Sequence, residues 1–136
     1  MISFQQLGSL GRLGNQLFQY TFLRLTAGRL GVPFYCPRWI GDEIFLLNDQ
    51  DQRAENPIGI DKTYLESNYS GFNPSALQIQ DGTEIVGYFQ TERYFDKERV
   101  RKWYAFKNEK VASVKEKYKH IDFSKSVGMH LRFGDN

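Results

Sequence analysis

The stretch ISFQQLGSLGRLGNQLFQY, residues 2–20, carries the local signals that decide the fold. Residues 2–7 form a short segment that ends at Gly8, which is typical of a first strand. Three glycines spaced by three residues then punctuate a loop that closes at Gly14, and from Leu17 onward apolar residues recur at helical spacing. A strand, a glycine-rich turn and a helix in this order predict the opening of a parallel α/β sheet.

The rest of the chain extends this pattern into a Rossmann-like parallel sheet with flanking helices. Gly31 and Pro33 end the first helix, and the segment PFYC at 33–36 follows as a second strand. Residues 41–83 are rich in Asp, Asn, Gly and Pro, which indicates long connections with short elements. The later segments predict a strand at 83–90, a helix at 96–104 capped by Asp96, a helix at 108–119, and a last strand within 126–136 that turns at Gly134.

The composition excludes several classes of protein. The chain has 136 residues, of which 40% are hydrophobic and 15% aromatic, enough for the core of one domain. Its 18 basic and 16 acidic residues give a net charge of +2, which is too balanced to predict binding to nucleic acid. It has no apolar run of about 18 residues and no basic, then apolar, leader segment. We therefore expect a cytoplasmic protein that is soluble or peripheral at a membrane.

Cys36 is the single cysteine, so an internal disulfide is excluded and a reducing compartment is favoured. Two interpretations of its thiol stay open: a buried, small apolar group, or a nucleophile. The first is favoured because a chain with two histidines offers few groups that would activate a thiol.

The loop from Gly8 to Gln16 is the first candidate for a binding site. It matches neither the dinucleotide fingerprint nor a phosphate-binding loop with Lys and Ser or Thr after its last glycine. Backbone can nevertheless approach a ligand closely at glycines, and amides at a helix N-terminus favour an anion such as phosphate. Arg12, Asn15 and Gln16 add directional donors. The alternative is a tight turn with a helix cap at Asn15 or a neighbour.

The segment HLRFGD, residues 130–135, is the second candidate. His130 and Arg132 are two residues apart on the predicted strand, so both side chains point to one face. At the carboxyl end of a parallel strand they would face the crevice where α/β proteins bind ligands, and the planar guanidinium of Arg132 suits a diphosphate. In the alternative, His130 is a core residue and Arg132 pairs with Asp135.

The segment GYFQTERYF, residues 87–95, is the third candidate. It interleaves aromatic residues with Gln90, Glu92 and Arg93 just after a predicted strand. Aromatic rings beside polar groups suit the face of a sugar, and a half-buried strand end is the alternative.

Taken in order, GRLGNQLFQY, GYFQTERYF and VGMHLRFGD resemble the motifs of the fucosyltransferases. The likeness is greatest to the α-1,2-fucosyltransferases, whose patterns are G-x-L-G-N-Q-[ML]-F-Q-Y, G-Y-[WF]-Q-[ST]-E-[RK]-Y-F and H-x-R-R-G-D. The first and last motifs also resemble those of protein O-fucosyltransferases, which use G-R-F-G-N-Q and H-L-R. Each motif is several residues long, and together they touch the start, middle and end of the chain.

The resemblance implies an inverting enzyme that transfers L-fucose from GDP-fucose to a galactoside hydroxyl, giving an α-1,2 linkage without a metal or other cofactor. Its partners are then a nucleotide sugar and a glycan acceptor. Such enzymes are GT-B-like, so residues 1–122 would form the acceptor-side domain and residues 123–136 the first strand and motif of a donor-binding domain. The positions that match donor-binding residues are Arg12, Leu13, Gly14, Asn15, His130 and Arg132, with Arg132 also catalytic through the diphosphate. Gln16 and Asp135 are further candidates.

Two departures from the family pattern keep alternatives open. Phe133 stands where the family has a second arginine, which removes one diphosphate contact and leaves another nucleotide sugar as an alternative donor. The rest of the donor-binding domain would follow Asn136, so the 136 residues alone are expected to be inert or nearly so. The other alternative is a non-catalytic module that binds carbohydrate or nucleotide.

Overall fold

The computed structural model describes residues 1–67, 71–131 and 133. The chain divides into two compact units, Met1–Ala105 and Phe106–Asn136. The first unit contains β1 (Ile2–Ser3), α1 (Leu13–Leu30), β2 (Phe34–Tyr35), α2 (Ile40–Ile44), β3 (Lys62–Leu65), β4 (Thr83–Val86) and α3 (Lys97–Trp103), together with 3-10 helices at Pro74–Gln78 and Glu92–Tyr94. The second unit contains α4 (Asn108–Lys117) and a 3-10 helix at Phe123–Lys125.

The sheet has four parallel strands in the order β2-β1-β4-β3, which confirms the predicted parallel α/β class with flanking helices. β1 is a central strand, because Ile2 is in register with Phe34 of β2 on one side and with Thr83 of β4 on the other. α1 makes the crossover from β1 to β2 that a parallel pair requires. Since β1 and β4 are parallel neighbours, the segments that leave their carboxyl ends emerge at the same edge of the sheet.

The helix α1 lies at the centre of the core. Tyr20, Phe22 and Leu23 are at most 2% exposed, and the ring of Phe22 stacks on Phe89 with the centroids 3.9 Å apart. Each such side chain contributes about 1.5–3 kcal/mol of hydrophobic free energy when it is buried. The helix ends as predicted at Gly31, whose φ angle is 68° and whose N–H donates to the carbonyl of Ala27.

Arg24 of α1 is buried although its side chain is charged, and it is only 4% exposed. Its Nη1 donates to the carbonyl of Leu47 at 2.6 Å, and its Nη2 donates to the carbonyl of Asn48 at 2.9 Å. Both acceptors belong to residues with positive φ angles, 48° and 51°, which are uncommon without glycine. Arg24 therefore stabilises a tight turn that packs against α1.

Several predicted elements are present but shorter than expected. The predicted strand 2–7 is regular only over β1, because the chain turns at the hydrogen bond from the Leu7 N–H to the carbonyl of Phe4. The predicted strand 83–90 ends with β4, just before Gly87. In α3 the cap is as predicted, since the Asp96 carboxylate accepts from the N–H of Arg99 at 3.2 Å.

The strand predicted within 126–136 is not formed over the described residues 126–131 and 133. Val127, Met129 and Phe133 are 95%, 79% and 86% exposed. A strand is stabilised by hydrogen bonds to a neighbouring strand and by burial of one face, and no described strand pairs with this segment. The predicted turn at Gly134 lies outside the described residues.

The helix α4 of the second unit is exposed to solvent, and none of its residues is buried. Its lysines at 110, 115 and 117 lie on exposed positions, as expected for a solvated helix. Neither α4 nor any other helix in the described ranges has the length and apolar character needed to cross a bilayer.

Candidate functional site

The glycine-rich loop, residues 8–16, connects the turn after β1 to the first turn of α1. Gly8 and Gly11 have φ angles of 91° and 79°, which residues with a Cβ rarely adopt. A Cβ at Gly11 would also lie 2.7 Å from Nδ2 of Asn15, because the Asn15 side chain folds back over that glycine. The loop therefore has one defined path that needs glycine at both positions.

Gln16 holds this path from inside the protein. Its Nε2 donates to the carbonyl of Gly8 at 3.2 Å and to that of Gly11 at 3.0 Å, and the residue is 6% exposed. From the sequence, this amide was a candidate donor to a ligand. In the structure both of its N–H groups donate to carbonyls of the loop itself. Gln16 thus positions the loop.

Gln19 joins the glycine-rich loop to the segment after β4. Its Nε2 donates to the carbonyls of Leu10 and Gly87, both at 3.1 Å, and its side chain is fully buried. Sequence reasoning missed this residue. The available signal was its spacing, because Gln19 lies three residues after Gln16 and so shares its helix face.

The start of α1 contains residues 12–15, which the sequence analysis matched to donor-binding positions. Arg12 is the N-cap residue, its side chain makes no capping hydrogen bond, and the first turn contains no acidic residue. A Cβ at Gly14 would meet no atom within 4 Å, so the space beside this turn is open. Helix starts lack intrahelical partners for their first amides and carry partial positive charge, which favours an anion. Arg12, Leu13, Gly14 and Asn15 all lie at this helix start, and their role in binding a donor stays a prediction from the sequence.

The segment after β4 is fixed by Glu66, which directly follows β3 and is 4% exposed. One carboxylate oxygen, Oε2, accepts from the N–H of Tyr88 at 2.6 Å and from that of Phe89 at 3.0 Å. A Cβ at Gly87 would lie 2.5 Å from the Cβ of Glu66, so this glycine is required by close packing. No local pattern of residues predicted this role of Glu66, because an acidic residue after an exposed edge strand is usually solvated.

The aromatic residues of the segment 87–95 pack mainly inside the protein. Phe89 is fully buried, and Tyr94 is 8% exposed with its ring centroid 5.1 Å from that of Phe22. The polar residues Gln90, Glu92 and Arg93 are exposed. These contacts favour the strand-end alternative over an aromatic platform for a sugar.

The third motif is described only in part. His130 lies in the second unit and is exposed, as are its neighbours Leu131 and Phe133. Arg132 and Asp135 lie outside the described residues. Their roles stay predictions from the sequence.

Cys36 is buried, and burial raises the pKa of its thiol to about 12. A thiol with that pKa is protonated at neutral pH and is a poor nucleophile. The structure thus favours the first interpretation of Cys36, a small buried group.

The described part of the chain contains no group of three or more His, Cys, Asp or Glu side chains that could hold a metal ion. Comparison of the chain with protein-family models, with curated proteins and with solved structures found no match.

Proposed function

We propose that this chain belongs to a glycosyltransferase that transfers L-fucose from GDP-fucose to a galactoside hydroxyl with inversion. The observation that carries the proposal is the glycine-rich loop, held by Gln16 and Gln19 at the carboxyl end of a central parallel strand and leading into an open helix start. That arrangement suits a diphosphate. The identity of the sugar and the α-1,2 linkage rest on the three sequence motifs, as does the two-domain GT-B-like architecture.

In the proposed reaction the galactoside oxygen attacks the anomeric carbon of fucose from the face opposite GDP. The glycosidic bond forms as the sugar–phosphate bond breaks, the hydroxyl proton passes to a base or to solvent, and negative charge accumulates on the departing diphosphate. The start of α1 and Arg12 would stabilise that charge. By the resemblance alone, Arg132 corresponds to the family's diphosphate-binding arginine. Interactions that strengthen as the bond breaks raise turnover rather than ground-state binding.

The donor is tested by calorimetric titration with GDP-fucose, GDP-mannose and UDP-galactose, and by linkage analysis of any product made from a galactoside. We expect GDP-fucose to bind at least tenfold more tightly than the other two donors. Equal affinities would contradict the fucosyl assignment and favour a transferase with a different donor.

Gly14→Val tests the position of the diphosphate. A side chain at Gly14 enters open space, so the free energy of unfolding should change little, whereas the added methyl groups occupy the place proposed for the phosphates. We expect affinity for GDP-fucose to fall at least tenfold, with Ala112→Val on the exposed face of α4 as the matched control. Unchanged affinity in Gly14→Val would place the donor elsewhere.

Arg132→Ala tests the catalytic role in the form of the protein that is active. Turnover should fall much more than acceptor binding, because the guanidinium acts on charge that develops in the transition state. Lys125→Ala, an exposed residue of the same unit, is the control. Equal losses in turnover and acceptor affinity would remove Arg132 from that role.

A further inference from the structure

A cavity of about 500 Å³ lies in the first unit at the carboxyl-terminal end of α1. Gly28 and Gly31 of that helix end line one side, Pro33 and Phe34 at the start of β2 line another, and Arg99 of α3 also contributes to the wall. The cavity is distinct from the glycine-rich loop, because α1 rises about 1.5 Å per residue and separates Arg12 from Gly28 by roughly 24 Å.

Arg24 supplies a fixed positive charge to this cavity. Four of its five N–H groups are accounted for by the carbonyls of Leu47 and Asn48, the hydroxyl of Tyr20 and the amide oxygen of Gln52. The guanidinium is held rigidly, and one N–H group is left for another acceptor.

Arg99 supplies a second positive charge, and the N–H groups of its guanidinium donate to no described residue. Within the described residues its guanidinium makes no hydrogen bond and no ion pair, and its Cζ lies 5.8 Å from the ring centroid of Trp103. The Cζ of Arg24 lies 4.2 Å from the same ring, so both guanidinium groups flank one indole. Nη2 of Arg99 also lies 3.0 Å from where a Cβ on Gly28 would stand, which places it directly against the helix.

The charges and the apolar surfaces of the cavity select the class of ligand. Among the described residues, Asp51 is the one carboxylate that lines it, against the guanidinium groups of Arg24 and Arg99, so their balance of charge is positive. Val32 and Phe34 provide an apolar surface. A guanidinium with free N–H groups binds carboxylate or phosphate in a bidentate manner, and a volume of this size holds a ligand of about one sugar ring.

We propose that this cavity binds a small organic anion, a sugar-sized molecule with a phosphate or carboxylate group on Arg99 and the remaining N–H of Arg24. The site does not depend on the proposed transferase reaction, because its residues lie at the other end of α1 from the glycine-rich loop. An occupied site would tie α3 to α1 and to the turn around Asp51, and so stabilise the first unit by mass action.

The test is calorimetric titration of the whole chain with glucose 6-phosphate, glucuronate, inorganic phosphate and uncharged glucose at constant ionic strength. We expect saturable binding of a charged sugar, none of glucose, and a preference between the first two probes that identifies the anionic group. Binding of inorganic phosphate as tight as that of glucose 6-phosphate would contradict a sugar-sized ligand. Absence of saturable binding by both charged sugars up to about 20 mM would overturn the proposal.

Variants at Arg99 and Asp51 are expected to change the affinity for a charged sugar in opposite directions. Arg99→Gln should weaken binding of the charged sugar at least tenfold, whereas Asp51→Asn should strengthen it about threefold by removing a like charge from the wall. Arg101→Gln, an exposed arginine of the same helix outside the cavity lining, should leave affinity unchanged. Equal effects of the two arginine variants would show a general charge effect and overturn the site.

Discussion

The two ends of α1 differ in how their polar groups are satisfied. At the amino end, the amide nitrogens of Gln16 and Gln19 donate to carbonyls of the glycine-rich loop and of the segment after β4, while their Oε1 atoms are buried and accept no hydrogen bond from the described residues. At the carboxyl end, the guanidinium of Arg99 faces a cavity, contacts the ring of Trp103 and makes no hydrogen bond or ion pair with the described residues. The first end is preorganised, and ligand binding there should need little rearrangement. The second end should gain more order from a bound anion.

Gly87→Ala, next to the amino end of α1, is expected to lower the free energy of unfolding the most. The new Cβ would overlap the Cβ of Glu66 at 2.5 Å, and the φ angle of 157° at Gly87 is also unfavourable for alanine. We expect the free energy of unfolding to fall by about 3 kcal/mol, measured by urea denaturation. Gly59→Ala is the control, since it also has a positive φ angle but no atom within 4 Å of its Cβ position. A loss no greater than that of the control would show that Glu66 can move away.

Gln19→Leu is expected to cause the second largest loss in the free energy of unfolding. It removes both hydrogen bonds that join the glycine-rich loop to the segment after β4 and leaves the carbonyls of Leu10 and Gly87 without their donor. The cost should be about 2 kcal/mol in the free energy of unfolding. Gln80→Leu, at an exposed position, controls for the change in residue type and should cost less than about 0.5 kcal/mol. Similar values for the two variants would mean that the Gln19 amide adds no stability.

Gln16→Leu should lower the free energy of unfolding less than Gln19→Leu does, but it should make the glycine-rich loop less ordered. The carbonyls of Gly8 and Gly11 belong to exposed residues and can turn to water, so we expect a loss of about 1 kcal/mol. Amide hydrogen exchange of residues 8–12 should accelerate at least tenfold, because the loop loses its internal support. Unchanged exchange would show that the positive φ angles of the glycines are enough to define the loop.

Gly28→Ala tests the carboxyl end of α1. It should have the smallest effect on the free energy of unfolding, and it should stabilise the protein, whereas the other variants destabilise it. Alanine is the better helix former, so the free energy of unfolding should rise by about 0.5–1 kcal/mol. The new Cβ displaces Nη2 of Arg99, an exposed side-chain end that moves readily, and binding of glucose 6-phosphate should weaken severalfold. Gly14→Ala, in open space at the other end of α1, should leave that binding unchanged. A destabilised Gly28→Ala would mean that Arg99 is held more firmly than its contacts indicate.

Local signals in the sequence were sufficient for most elements of the fold. The stop at Gly31 and the cap at Asp96 act within one helical turn, so the chain nearby contains the information that fixes them. The segment within 126–136 shows the limit of such signals. It has the composition of a strand, but a strand also needs a partner, and no described strand supplies one.

The amino-acid sequence alone was enough to predict the order of strand, glycine-rich loop and helix, and with it the parallel α/β class. The structure begins the helix earlier than the apolar spacing indicated, at Leu13. The tertiary structure was needed to tell which polar side chains are hydrogen-bonded within the protein and which are not. The amide nitrogens of Gln16 and Gln19 and one carboxylate oxygen of Glu66 are hydrogen-bonded to the backbone, whereas the guanidinium of Arg99 makes no hydrogen bond with the described residues. The reason is physical: a hydrogen-bond partner far away in the chain is set by packing, and no local pattern of residues encodes it.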